Sequence, residues 1–225
     1  MAQFLTRPSE AGMRPPDSSR TYGQYCGLAR ALDIVGERWN LLIIRELLIH
    51  PARYSDLQAA LPGIATNLLA DRLRALESAG VLQRRLDPGV RGVTYHLTPW
   101  GEELRSTVES LVAWSAPLME SGPRRGDAFR THWLVVALRA LLRGKRSERP
   151  TVIGVEVEGE LVAVRVDHTG THTTLAPAQR PATVFHSGPT TVLGLAAGSI
   201  TIEQATAMGE LRGDEHDLAA VFSQA

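Results

Sequence analysis

A Pro62-Gly63 turn stands between two helical patterns, and at Gly80 the hydrophobic period changes from helical to alternating. Few small folds accommodate that order. Upstream of the turn, residues 39–49 (WNLLIIRELLI) are apolar nearly all round, as in a helix buried at the centre of a small domain. Leu28, Leu32 and Val35 form an earlier apolar stripe ended by Gly36, and Pro51 stops the central helix. SDLQ at residues 55–58 has the form of a capping box and opens a short helix through Leu61. After the turn a helix is expected from Thr66 to Ser78, burying Leu69, Leu73 and Leu76 and closed by Gly80. Residues 81–86 and 93–97 read as two strands joined by a hairpin tip at residues 87–92. Thr98-Pro99 then starts a long helix with proline at its first position, on a stripe of Leu104, Val108, Leu111, Ser115 and Leu118.

That succession predicts a helix-turn-helix followed by a wing. The helix after the turn can enter a major groove while the hairpin reaches the neighbouring backbone. Charge gives this reading little help. The chain carries 24 Lys+Arg against 24 Asp+Glu, a net charge of +0, where a nucleic-acid binder usually has a basic footprint. Dividing it at about Arg125 leaves 15 arginines against 13 acids before and 9 basic residues against 11 acids after. Lys145 is the only lysine, so arginine is simply the cation of this sequence. The case for DNA rests on pattern.

Other classes are set aside on similar grounds. No run of eighteen apolar residues exists, so no membrane span or membrane partner is expected. Residues 1–20 hold Pro8, Pro15 and Pro16 among polar residues and read as a disordered leader, not an export signal. The single cysteine, Cys26, excludes an intramolecular disulfide framework and fits a reducing cytoplasm.

The N-terminal half resembles the HxlR-type regulators, a branch of the MarR-like winged helices. The resemblance is carried by YCGLARALDIVGERW at residues 25–39, LLIIRELL at 41–48, RYSDL at 53–57 and LPGI at 61–64. It continues through NLLADRLRALE at residues 67–77, AGV at 79–81 and YHLTPWG at 95–101. The resemblance implies a transcription regulator that binds double-stranded DNA as a homodimer on a palindromic operator. Its dimer seam would lie on the first helix and the helix after the wing, at Leu28, Leu32, Leu104, Val108 and Leu111. Thr66, Asn67 and Ala70 would then meet base edges, and Arg74 and Arg91 would meet phosphates. Ala65 stands where the family often has serine, which moves the expected helix cap to Thr66. In some members a cysteine at this place senses oxidants or electrophiles, so redox sensing through Cys26 is the alternative reading. A helix N-terminus and Arg30 one turn on would favour its thiolate.

The turn-rich residues 121–127 divide the chain, giving expected domains at 21–121 and 127–225. In the second, a helix is expected from Asp127, with Phe129, Trp133, Val136 and Ala140 on one stripe. VEVEGELVAVRV at residues 155–166 alternates as a hairpin turning at Gly159, and residues 171–175 and 182–185 are further strands. GPTTVLGL at residues 188–195, GSI at 198–200, EQA at 203–205 and GELRGD at 209–214 resemble the C-terminal half of sterol-carrier-protein-like domains. The resemblance implies an α/β domain enclosing an apolar site, so the whole chain is expected to be α+β. A small apolar effector would sit near Phe129, Trp133, Phe185 and Leu193; a packed scaffold or a lipid carrier is the alternative. His132, His168, His172 and His186 are scattered, with no metal-binding pair among them, and no nucleophile elbow or phosphate loop is present. No cofactor, metal or catalytic residue is expected.

Overall fold

The structure, a computed structural model, describes residues 21–89, 91–119 and 121–223. The leader expectation lies outside them. The chain forms two compact units that divide between Val108 and Glu109.

In the first unit, α1 (Gly27–Val35) leads through a short loop to α2 (Asn40–Ile49), followed by β1 (Ala52–Arg53) and α3 (Tyr54–Ala60). Then come α4 (Thr66–Ser78), β2 (Leu82–Arg85), β3 (Thr94–Leu97) and α5 (Pro99–Glu102). The core is Ile43, Ile44 and Leu47 of α2, Leu57 of α3, and Leu69, Leu73 and Leu76 of α4, all buried. Burying each such side chain is worth about 2 kcal/mol. Helix α4 has the bounds its periodicity predicts, and Gly80 takes the left-handed backbone (φ 75°) that follows a helix end.

Four local expectations need correction. Helix α3 starts at Tyr54, not within the SDLQ motif: Arg53 is its cap, and Asp56, three residues on, accepts the Arg53 amide at 3.2 Å. Ser55 instead donates to Asp56 Oδ1. Thr66 is not the cap of α4; Ala65 is, and it offers no side-chain hydrogen bond. The hairpin is three-stranded, because β1 pairs with β3 through Ala52–Tyr95 and Arg53–Thr94. Two residues are too few to show a period. The long helix is broken: α5 is followed by α6 (Arg105–Ser115) and a 3-10 turn at Ala116–Met119. Thr98 caps α5, its hydroxyl accepting from the Gly101 amide, with Pro99 at the first position as expected.

In the second unit the expected helix at Asp127 starts late. The Asp127 carboxylate accepts from the Arg124 amide in a turn, and the helical backbone begins as a 3-10 turn at Thr131–Trp133, running on into α7 (Leu134–Leu141). The sheet comprises β4 (Thr151–Val157), β5 (Glu160–Asp167), β6 (Gly170–Leu175), β7 (Thr183–His186) and β8 (Glu210–Arg212) in the order β6-β5-β4-β7-β8. Strands β4 and β7 are parallel; the other pairs are antiparallel. Glu158 and Gly159 both have positive φ (52° and 81°), the two-residue turn that suits strand twist.

Three helices complete this unit: α8 (Pro189–Ala197), α9 (Ile202–Ala207) and α10 (Glu215–Phe222). Ile153, Val155 and Val157 alternate onto one buried sheet face with Val162, Val164 and Phe185. Helices α7 and α10 cover that face: Thr173 Oγ1 donates to Val135 O at 2.6 Å, and Thr183 Oγ1 donates to Asp217 Oδ2 at 2.8 Å. Residues 176–182 must carry the chain from β6 past β5 and β4 to β7. They cross the opposite face, where the Ala176 amide donates to Leu161 O and Arg180 pairs with Glu156. Ala163 and Val184 are buried on that face, where the side chains of Leu161 and Val184 both close on Gly154.

Candidate nucleic-acid interface

Three buried leucines fix the rotation of α4. With Leu69, Leu73 and Leu76 turned inward, Asn67 and Arg74 are exposed on the far side and Ala70 is half-buried between them. Residues 67, 70 and 74 recur three and four apart, so they share one face. Ala65, the cap of α4, adds no side-chain hydrogen bond to the helix start that carries Thr66 and Asn67.

The five expected contact residues are not equivalent. Thr66 is tied down: its hydroxyl accepts from Gln58 Nε2 at 2.8 Å, and its carbonyl accepts from the Tyr54 hydroxyl at 2.7 Å. These two bonds hold the start of α4 against α3, so Thr66 acts partly as an anchor. Arg74 pairs with Asp71 one turn back, and both side chains are exposed. An exposed pair of this kind is worth little and opens readily to a stronger anion. Arg91 is exposed at the hairpin tip.

The hairpin is braced at its base. The Asp87 carboxylate accepts from Thr94 Oγ1 and from His96 Nε2, the latter at 2.7 Å. Those two bonds hold its carboxyl below the usual carboxylate range. Arg84 Nε donates to Glu77 Oε1 at 3.0 Å, tying β2 to the end of α4. None of these ties was legible in the sequence, since the partners are seven or more residues apart and share no periodic pattern. A pairing over a longer range joins Arg72 of α4 to Glu37, its Nη2 donating to Oε2 at 2.7 Å.

Cys26 is exposed and caps α1. Cys26 makes no side-chain cap bond, and the nearby backbone amides of Ala29 and Leu28 lower the thiol below its ordinary value. Leu28 and Leu32 are exposed on α1, at 69% and 38%, and Leu111, Trp114 and Leu118 on α6 and the turn after it. Val108 is 5% exposed and belongs to the core, which removes it from the expected seam.

The residues expected at an effector site divide in two. Phe129 and Trp133 meet edge to face at 6.4 Å between ring centres. Phe185 is fully buried on β7, where its ring lies 2.8 Å from the place a Cβ on Gly209 would take. Leu193 is half-buried on α8. At the β5–β6 turn, Asp167 accepts from the Thr169 amide and hydroxyl, which lower its carboxyl to about 2. Among the described residues no three of His, Cys, Asp and Glu form a group able to hold a metal. No helix there is long and apolar enough to cross a membrane.

Residues 34–122 match the model of the HxlR-like helix-turn-helix family. The regulator YodB of Bacillus subtilis is 33% identical over 93 residues, which cover 41% of this chain and 83% of YodB. The chain belongs to the HxlR-like family. A second member, YtfH of Escherichia coli, is 36% identical over 94 residues, covering 41% of this chain and 75% of that protein. A crystal structure of quinone-bound YodB covers 40% of this chain and 96% of its own, at 31% identity and a TM-score of 0.36. Both HxlR-like relatives are named as HTH-type transcriptional regulators, and transcription regulation through a DNA-binding helix-turn-helix is the function this chain shares with them. The family match ends at residue 122, so most of the second unit lies beyond it.

Proposed function

We propose that this cytoplasmic regulator acts as a homodimer on a palindromic operator, reading base edges with Asn67 and Ala70 and phosphates with Arg74 and Arg91. The supporting observation is the two-sidedness of α4, with three leucines in the core and an amide, a methyl and a guanidinium on the opposite surface. Asparagine suits adenine, and a small apolar side chain suits a thymine methyl. Thr66 belongs to the same site, mainly as an anchor. The two subunits meet through the exposed apolar residues of α1 and α6, among them Leu28, Leu32 and Leu111. Half-sites about one helical turn apart follow from that symmetry.

The domains we assign are 21–121 for DNA binding and dimerisation and 127–225 for a sterol-carrier-like module that takes a small apolar effector. A five-stranded sheet with helices on one face and a parallel central pair supports the second assignment. Phe129, Trp133 and Leu193, none of them fully buried, would line its site, with Phe185 as the floor. No catalysis or cofactor enters this reading.

The deciding experiment is selection of bound duplexes from random sequence by the full-length protein. Enrichment of a two-fold symmetric site supports the reading, and recovery of no consensus overturns it. A second reading, thiol-based sensing through Cys26, is favoured by the exposed, amide-stabilised sulfur at the start of α1. Loss of operator binding on oxidation, absent in Cys26→Ser, would establish it.

A further inference from the structure

The side of α4 turned away from Asn67, Ala70 and Arg74 carries a cation that the DNA reading does not use. At 100° per residue, Arg72 stands roughly 140–160° around the helix from those three. It is 14% exposed at the side chain. Its guanidinium donates from Nη2 to Glu37 Oε2 at 2.7 Å and from Nε to Arg38 O at 3.3 Å. Both acceptors lie in the loop between α1 and α2, some 35 residues earlier in sequence.

That loop is tightly determined. A Cβ on Gly36 would stand 2.5 Å from Leu32 O, so the end of α1 is pressed directly against its own backbone. Trp39 takes left-handed backbone (φ 84°), which a bulky residue adopts only where its surroundings over-determine it. Its ring carbon Cη2 lies 3.9 Å from where Gly63 would carry a Cβ, beside the turn that precedes α4. The guanidinium of Arg38 covers the same ring at 5.4 Å. One short loop, continuous with α1, is therefore bonded to the flank of α4 through Arg72, with the Trp39 ring standing near the turn that precedes the helix.

We propose that Arg72 is a positioning residue for operator recognition: its two-point grip on Glu37 and Arg38 sets the angle of the reading helix relative to α1. The inference rests on the reading of α4 as the DNA-reading helix and of α1 as part of the subunit seam. In such a dimer the grip carries the spacing of the two subunits into the spacing of the two reading helices. Base-edge contacts need that angle, because a bidentate amide loses its partner on a small rotation. Phosphate contacts to flexible arginines tolerate it. Arginine is needed because its planar fork makes both bonds at once, which the single ammonium of lysine does not.

The distinction gives the test. A simple staple would, on mutation, weaken the fold and all DNA binding in proportion. A positioning residue changes the ratio between specific and non-specific binding. The experiment uses full-length wild type, Arg72→Lys, Glu37→Gln and the double variant. Each is measured on the duplex selected by wild type and on a scrambled duplex over a range of salt, with thermal melting alongside. Arg72→Lys should keep its scrambled-duplex affinity and salt slope and lose about tenfold in preference for the selected site, within the usual range of coupling between sites. Glu37→Gln should change the preference in the same direction, and the double variant should be no worse than Arg72→Lys alone. An unchanged preference in folded Arg72→Lys overturns the proposal, as does a proportional loss on both duplexes. If Arg72→Lys fails to fold, Glu37→Gln decides by the same criterion. Failure of wild type to select any sequence would instead bring down the operator reading, and the grip with it.

Discussion

A methyl group on Gly101 would stand 2.0 Å from the carbonyl oxygen of Val81. That oxygen is already occupied, accepting from the Thr98 amide at 3.0 Å, while the Thr98 hydroxyl donates to the adjacent Gly80 O at 2.7 Å. The first turn of α5 is thus docked directly onto the backbone that leads into β2. Each residue of the TPWG motif but Trp100 has a geometric reason: Thr98 caps, Pro99 suits the first helical position, and Gly101 permits the approach. Gly101→Ala places its methyl against backbone, which cannot rotate away as a side chain can. The expected loss is about 1–3 kcal/mol or somewhat more. Urea unfolding of the variant beside wild type measures it, and a loss under about 0.5 kcal/mol would contradict the packing.

Asn67 and Arg91 should fail differently on DNA. Asn67→Ala removes a side chain exposed on the reading face of α4, and the cost on the preferred site should be roughly 1–3 kcal/mol with one base position relaxed. Arg91→Ala should weaken all sequences alike and lower the salt slope by about 1. Equilibrium binding to matched and single-mismatch duplexes separates the two. An Asn67→Ala protein with unaltered site preference would put the reading face in the wrong register.

How far the sequence showed this interface depends on the range of each interaction. The rotation of α4 was legible because Leu69, Leu73 and Leu76 recur at helical spacing, a purely local signal. The turn at Glu158-Gly159 was legible for the same reason. The grip of Arg72 on Glu37, the anchoring of Thr66 by Gln58 and the third strand at Ala52–Arg53 were not. Each joins residues that local pattern leaves independent, and only tertiary packing brings them together. The early start given to the helix at Asp127 has a related cause. Phe129 and Trp133 do share a helical spacing, but Thr131 is drawn to the sheet, its hydroxyl donating to Val157 O at 3.1 Å.

Acid should destabilise the second unit through Asp167. Its carboxyl is held at about 2, against an ordinary 3.8, chiefly by the hydroxyl and amide of Thr169. A folded value below the unfolded one means the unfolded chain binds the proton more readily. The contribution of this group is therefore complete above about pH 4 and is lost as the pH falls toward 2. Asp167→Asn should be less stable than wild type at neutral pH and should lose part of the slope of stability against pH in that window. Denaturant unfolding at several acid pH values checks it, and parallel curves for the two proteins would contradict the assignment. Asp87 shifts in the same direction, so Asp87→Asn serves as the comparison in the first unit.

The effector reading predicts a division of labour between the two assigned domains. Thr66, Asn67, Ala70, Arg74 and Arg91 all precede the turn-rich residues 121–127, as do Leu28, Leu32 and Leu111 of the proposed seam. A chain ending at residue 126 should therefore dimerise and find its operator. The truncation must be made with care at one place. Glu109 Oε1 stands 2.7 Å from Arg139 Nε, so the shortened chain is made both with Glu109 and with Glu109→Gln to separate loss of this ion pair from loss of the effector site. What this protein should lose is its response to an apolar effector found by screening on the full-length dimer. The size of that response is bounded by the ligand's preference between DNA-competent and DNA-incompetent dimers, commonly 1–3 kcal/mol. Operator affinity with and without the effector, for both proteins side by side, is the measurement. In the full-length protein Trp133→Ala should weaken the response without altering affinity for DNA in the effector's absence. An effector that still released the truncated dimer would place sensing in residues 21–121, and the sheet at residues 127–225 would then be a packed scaffold.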